Sequence, residues 1–247
     1  MDYLSSISAD EVNSFGPGGM VLRDIEPDFD VDLMLAKIRP SSANVERVYR
    51  ELIEEARSVA RPQAVFRICA VKTGPGFKVG LNEILFKSKL LHTNLTGLDQ
   101  AFAYVATEGP ELSGWADSLA GARKAFAWPV RYAALKLAEK SLVRFIEKAF
   151  ALRQVSSMNP GALPFWPIEE QKLLFEVLDP LPSRIGVVLH PNLWMSPDLS
   201  SSGVLFETEA KFYNCQLCSL DSCPHRRIEY LGRAGWPEAR TTMRGVQ

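Results

Sequence analysis

Ser156-Ser157-Met158-Asn159-Pro160-Gly161, Trp166-Pro167-Ile168-Glu169-Glu170-Gln171 and Ser200-Ser201-Ser202-Gly203-Val204 punctuate the stretch that decides how this chain folds. Asn159-Pro160-Gly161 is a turn signal, because Pro sets φ near about −65° and Gly accepts positive φ. Pro164 and Pro167 keep the chain extended until Pro167 takes the first helical position, where a missing N–H costs nothing. Glu169 and Glu170 then fall in the first turn, which suits the helix dipole. Leu173, Leu174, Val177 and Leu178 supply the apolar stripe, and Asp179-Pro180 ends the helix. Residues 184–190, centred on Ile185-Gly186-Val187-Val188-Leu189, read as a strand buried on both faces. The serine run reads as a turn into a second strand over 204–207. A loop, a helix mouth and a small-residue turn between strands predict a ligand groove without naming its ligand.

Working outward, the 247 residues suffice for one large domain or two small ones with a substantial core. Apolar residues at 47% and charged residues at 23% are ordinary for a globular chain. A formal charge of −1 offers no general attraction to nucleic acid or to an anionic membrane, so neither is expected as a partner. The start, Met1-Asp2-Tyr3-Leu4-Ser5, lacks a basic region followed by an apolar run, so no signal peptide is expected. No apolar stretch approaches the ~20 residues that span a bilayer. Four cysteines, three of them clustered, argue against a secreted disulfide scaffold, and a cytoplasmic location is expected.

Residues 1–40 are expected to form an N-terminal arm, turn-rich at Gly16-Pro17-Gly18-Gly19, with at most one strand. Ser41 or Ser42 can cap an amphipathic helix carrying Val45, Val48, Leu52, Ile53, Ala56 and Val59, which Arg61-Pro62 ends. Strands are predicted over 64–72, 81–86 and 102–107, with a turn at Gly74-Pro75-Gly76 and a short helix over 90–98. Helices are predicted over 111–120 and 130–152, the second with Pro129 in its first turn. Helices alternate with short strands and no linker intervenes, which favours one body over 41–210. A Cys-rich C-terminal extension follows over 211–247.

The order Asn-Pro-Gly, Trp-Pro-Ile with Gln171, Leu174-Phe175 with Leu178, Ile185-Gly186-Val187 with Leu189, Met195 with Pro197, and Ser202-Gly203-Val204 resembles the activation (reactivation) domain of cobalamin-dependent methionine synthase. It looks most like the stand-alone proteins built on that domain. Ala106-Thr107-Glu108-Gly109-Pro110-Glu111 is similar to the family's Ala-Thr-x-Gly-Pro-Glu stretch, so the resemblance covers residues 45–206. It implies an α+β fold: a single domain with a curved, largely antiparallel sheet flanked by helices. It also implies an accessory protein of corrinoid-dependent methyl transfer, docking on a corrinoid protein or cobalamin-dependent methyltransferase to support reductive reactivation and remethylation of cobalt. The cobalamin (corrinoid) would come from that partner, with S-adenosylmethionine as the methyl donor. Site residues implied at motif level are Asn159, Pro160, Gly161, Glu170, Gln171, Ser202 and Gly203, and Trp166 is a candidate aromatic face for the sulfonium. His190, at the end of a predicted strand beside the groove, is a hydrogen-bond candidate. The family's version carries an Arg shortly before its Pro-Gly and a Gly-Tyr after it. This chain has Ser156-Ser157-Met158 before and Ala162 after, leaving Arg153 and Arg184 to replace the cation.

Cys215, Cys218 and Cys223 lie within nine residues, a spacing suited to zinc or an iron–sulfur cluster, with His225 or Cys69 as a fourth ligand. Reduced structural thiols are the alternative. The cluster supports a rival function: a metal-binding interaction or electron-transfer module on the same fold, without methyl-donor binding. Cys69 falls in a strand pattern and His92 in a short apolar helix, so both read as packing residues. Arg226, Arg227, Arg233, Arg240 and Arg244 make the C-terminal end basic.

Overall fold

The computed structural model describes residues 19–23, 25–209, 211–220, 222–223 and 226–231. His225 and the tail with Arg233, Trp236, Arg240 and Arg244 lie outside the described residues, as does most of the turn-rich start. The expected arm contributes a strand, β1 (Met20–Leu22), and a helix that periodicity did not predict, α1 (Val31–Ile38). The Asp30 side chain caps α1 by accepting from the Leu33 N–H at 2.9 Å, and Arg39 ends it in the left-handed region. The next helix, α2 (Ala43–Val59), starts as expected, with Ser42 Oγ accepting from the Val45 N–H.

The sheet is built from β2 (Gln63–Gly74), β3 (Lys78–Leu81), β4 (Ile84–Lys87), β5 (Gln100–Thr107), β6 (Val155–Met158) and β9 (Ser200–Glu207). Its order is β4-β3-β2-β5-β9-β6, β1 pairs with β2, and every pairing is antiparallel. Between these strands run α3 (Lys89–Leu95), α4 (Pro110–Ser118), α5 (Gly121–Ala149), α6 (Gln171–Leu178) and the short α7 (Leu181–Arg184). A two-stranded ribbon, β7 (Val188–Leu189) with β8 (Met195–Ser196), precedes β9. This is a mixed α+β domain whose antiparallel sheet is flanked by helices, as expected.

Because side chains alternate along a strand, each sheet face has its own core. On one face Val65, Ala103, Val105, Val204 and Phe206 pack with Leu90, Trp166, Leu174 and Leu178. On the other, Phe66, Phe102, Tyr104 and Leu205 meet Leu135, Ala138, Leu142 and Phe145 of α5. A third cluster joins Leu52 and Ile53 of α2 to Leu112 of α4 and Val130 of α5. No helix among the described residues is long and apolar enough to cross a membrane.

Four local expectations need correction. Residues 184–190 are not a doubly buried strand. Gly186, at φ 68°, bends the chain after α7, only Val188 and Leu189 pair, and Val188 is 53% exposed. The serine run is not a turn but the first half of β9, with Ser200 Oγ donating to Thr107 Oγ1 at 2.9 Å. Residues 81–86 split into two strands at Asn82 (φ 53°), whose Oδ1 accepts from the Ala70 N–H at 2.9 Å. Pro129 lies inside α5, which begins at Gly121.

Candidate functional site: a basic cleft on the helical face of the sheet

The turn after β6 is held against β9 by one side chain. Met158 stands opposite Val204 in the register, which brings Asn159 beside Gly203. Asn159 Nδ2 donates to Tyr104 Oη at 2.8 Å and to Ser202 O at 2.8 Å, while Asn159 Oδ1 accepts from Asn214 Nδ2 at 3.4 Å. Gly203 makes room for this arrangement. A Cβ there would stand 2.3 Å from Met158 O, 2.7 Å from Asn159 Nδ2 and 2.9 Å from Tyr104 Cε1. Tyr104 is 3% exposed. Burial, with the Glu139 charge adding to it, pushes its phenol well above the ordinary tyrosine range, so it stays neutral.

Over this floor, between α5 and residues 211–213, opens a cleft of about 520 Å³. Tyr104, Ser157 and Leu205 form its base. Lys136, Lys140 and Arg144 line it from α5, at the four-residue spacing that places side chains on one helix face. Lys211, Phe212, Tyr213 and Arg227 close the opposite side, and Lys37 reaches it from α1. The Phe212 N–H donates to Ser156 Oγ at 2.8 Å, which fixes this segment to β6. The two acidic residues of the lining are engaged: Glu139 Oε2 pairs with Lys136 Nζ at 2.6 Å, and Glu147 Oε1 accepts from the Val155 N–H at 3.0 Å. Lys37, Lys140, Arg144, Lys211 and Arg227 form no ion pair among the described residues.

The structure brings together Asn159, Ser202 and Gly203. Pro160 is buried beside them, and Gly161 (φ 77°) closes the turn, its N–H donating to Trp166 O at 2.9 Å. None of these five residues lines the cleft itself, and neither do Trp166, Glu170 and Gln171. Trp166 is 0% exposed and packs edge-on to Phe86 in the core of the opposite sheet face, because the largest apolar side chain of the segment gains most by leaving water. Glu170 Oε1 accepts from the Lys87 N–H at 2.7 Å, and Gln171 is buried at the start of α6. His190 is exposed on the ribbon, with its Nε2 2.7 Å from Ser196 Oγ. Neither Arg153 nor Arg184 lines the cleft. Of the cations that do, the sequence reading marks Arg227 alone, as part of the basic C-terminal end. Lys136, Lys140 and Arg144 had a legible signal in their spacing, whereas Lys211 and Arg227 meet them only through the tertiary fold.

The motif at 106–111 does structural work instead. Gly109 (φ 96°) is needed because a Cβ would lie 2.3 Å from Arg61 O. The Glu108 side chain is 0% exposed and paired in two-pronged fashion with Arg131 of α5, which also grips Asp198 ahead of β9. Burial pushes the Glu108 carboxyl up to about 7, against the pull of Arg131.

Cys215, Cys218 and Cys223 are half-buried and unpaired. Among the described residues no three His, Cys, Asp or Glu side chains form a group that could hold a metal ion. Arg226 closes the loop, donating to the carbonyls of Cys215 (3.1 Å), Cys218 (3.1 Å), Leu220 (2.5 Å) and Ile228 (3.4 Å). Cys69 is core, and burial pushes its thiol up to about 11.

No family model matches the chain, and no curated protein matches it in sequence. Among solved structures, the chain is similar to one described as the crystal structure of the MetH reactivation domain bound to AdoHcy. The TM-score is 0.55 at 14% identity, over 84% of this chain and 78% of that one. That likeness establishes the shared fold.

Proposed function

We propose that this chain is an accessory protein of corrinoid-dependent methyl transfer. It docks on a corrinoid-carrying methyltransferase and supports reductive reactivation and remethylation of the partner's cobalt. The observation that carries the reading is the fold shared with a reactivation domain, together with a cleft whose base residue Tyr104 is held by Asn159 of the Asn-Pro-Gly turn. The corrinoid brings its own chemistry, and this chain supplies position and shelter. Asn159 ties Tyr104 of the cleft base to Ser202 of β9 beside Gly203, and Gly161 closes the turn by donating to Trp166 O. The four free cysteines accord with a cytoplasmic location.

An S-adenosyl amino acid fits this cleft in part. Its carboxylate can meet Lys140, Arg144 or Lys211, which takes over the role of the Arg absent before Pro160. Its sulfonium fits poorly, since both lining carboxylates are engaged and the remaining charge is positive. The same surplus charge favours a second reading, an interaction module that kept the fold without methyl-donor binding. Zinc or an iron–sulfur cluster at Cys215, Cys218, Cys223 and His225 belongs to that reading, and metal analysis of anaerobically purified protein tests it.

The test of the leading reading is spectroscopic. Added to a methyltransferase corrinoid subunit in the cob(II) state, with a one-electron reductant and S-adenosylmethionine supplied, the chain should change the visible spectrum and speed reductive methylation. An unchanged spectrum and rate would refute the docking role. Calorimetry with S-adenosylmethionine decides between the two readings, and affinity in the millimolar range or weaker favours the second.

A further inference from the structure

We infer that the cleft is a binding site for a small ligand with at least two negative charges, of the phosphate-ester class, and that a nucleoside phosphate is its natural size and chemistry. Charge comes first. Six cations, Lys37, Lys136, Lys140, Arg144, Lys211 and Arg227, line one recess together with two carboxylates, Glu139 and Glu147. The lining therefore carries six minus two, or four, positive charges, in a chain whose formal net charge is −1. The excess is local, and it faces inward onto a common volume.

The arrangement opposes the stability of α5. Lys136, Lys140 and Arg144 stand four residues apart on one face, where like charges repel. Of the three only Lys136 has an ion pair, with Glu139, since Glu147, one turn from Arg144, accepts from the Val155 N–H. An anion seated between α5 and residues 211–213 would relieve that repulsion and draw the two walls together. Arg144 and Arg227 offer forked donors suited to phosphate oxygens, and the lysines add point charges.

The rest of the lining fits a nucleotide better than bare phosphate. The volume of about 520 Å³ lies within the ~300–1,000 Å³ usual for small-molecule sites. Leu205, Phe212 and Tyr213 offer apolar and aromatic surface beside the cations, and Ser157 adds a hydroxyl at the base. A cationic sulfonium is the wrong charge for such a recess. The assignment does not depend on the corrinoid reading.

Titration calorimetry of the full chain, at physiological salt and then at higher salt, tests the proposal. The probes are ATP, AMP, pyrophosphate, adenosine and S-adenosylhomocysteine. ATP and pyrophosphate should bind, AMP more weakly and adenosine not at all, and the affinity should fall as salt rises. Arg144→Gln and Lys140→Gln, both exposed helix positions, should each weaken ATP by about tenfold, since each removes one charge-assisted contact. Their melting temperatures should equal or exceed that of the parent chain, since each removes a like charge from α5. ATP binding tighter than pyrophosphate assigns the site to a nucleotide, and equal affinity assigns it to the phosphate groups alone. Either result supports a phosphate-ester site. The proposal is overturned if no phosphate probe binds at millimolar concentration, if the double variant binds ATP as the parent does, or if S-adenosylhomocysteine outcompetes every phosphate. No corrinoid protein is present in these titrations, so failure here leaves the docking role standing.

Discussion

Replacing Gly203 by alanine tests whether the Asn159 bridge is what shapes the cleft floor. Gly203 has an ordinary strand backbone rather than a positive φ, so the substitution reports on space alone. In open strand it would be neutral or stabilising by about 0.4–1 kcal/mol, through the unfolded chain. Here the new Cβ would meet Met158 O at 2.3 Å, a backbone atom of the neighbouring strand that cannot swing aside. It would also displace Asn159 Nδ2, breaking the bonds to Tyr104 Oη and Ser202 O. Overpacking of this kind costs about 1–3 kcal/mol. Two lost hydrogen bonds add about 1–3 kcal/mol. The expected loss is therefore ~3–5 kcal/mol, or a fall of roughly 10 °C in Tm at about 2–4 °C per kcal/mol for a chain of this size. Circular dichroism melts measure it, and a cycle with Asn159→Ala separates the two parts. Because the clash with Met158 O survives removal of the asparagine, Asn159→Ala should not rescue Gly203→Ala. A Tm within 2 °C of the parent, or full rescue by Asn159→Ala, would refute this account of the floor.

Glu108 gives the chain a pH dependence whose sign is fixed by burial. Its carboxyl rises from the ordinary 4.5 to about 7, so between those values the folded chain keeps a proton that the unfolded chain has lost. Stability from this group is fully present below pH 4.5 and falls as pH rises through 7, by ~3 kcal/mol at about 1.4 kcal/mol per pH unit. Urea midpoints across that range should show the slope, and Glu108→Gln should flatten it. Arg131→Met should cost about 3–5 kcal/mol at pH 8, because it strands a buried carboxylate; a loss below 1 kcal/mol would contradict the pairing. In metal-free protein, an aromatic disulfide reagent at pH 8 should titrate Cys215, Cys218 and Cys223 first. Cys69, with roughly one thiolate in a thousand, should react only on unfolding. Arg226→Ala should raise hydrogen exchange over residues 215–231 while leaving the exchange of β5 and β9 unchanged, since its bonds serve only that loop.

What could be read from the residues, and what could not, follows the range of the interactions involved. The helix after Ser42 and the strands around Val65 and Val105 declare themselves through side-chain periodicity, which acts over a few residues. Ser200–Gly203 looked like a turn because serine and glycine are poor strand formers in isolation. The run is a strand because Thr107, Val105 and Tyr104 of β5 lie alongside it, with pairing that local propensity does not encode. The candidate site divides in the same way. The motifs point to Asn159 and Gly203 as ligand contacts, yet Asn159 bonds Tyr104 and Ser202, and Gly203 leaves the room for it. Trp166, a groove candidate by its motif, is fully buried in the core. Once those residues are committed to holding the floor, the groups left to face a ligand are the cations of α5 and of residues 211–227. Ser157, on the cleft floor a few residues ahead of the Pro-Gly turn, stands in the stretch that lacks the expected Arg, and positive charge reaches the same recess from the helix opposite. The recess takes its frame from the strands and its charge from α1, α5, Lys211 and Arg227, so substitutions at Lys140 and Arg144 probe ligand binding without touching the frame.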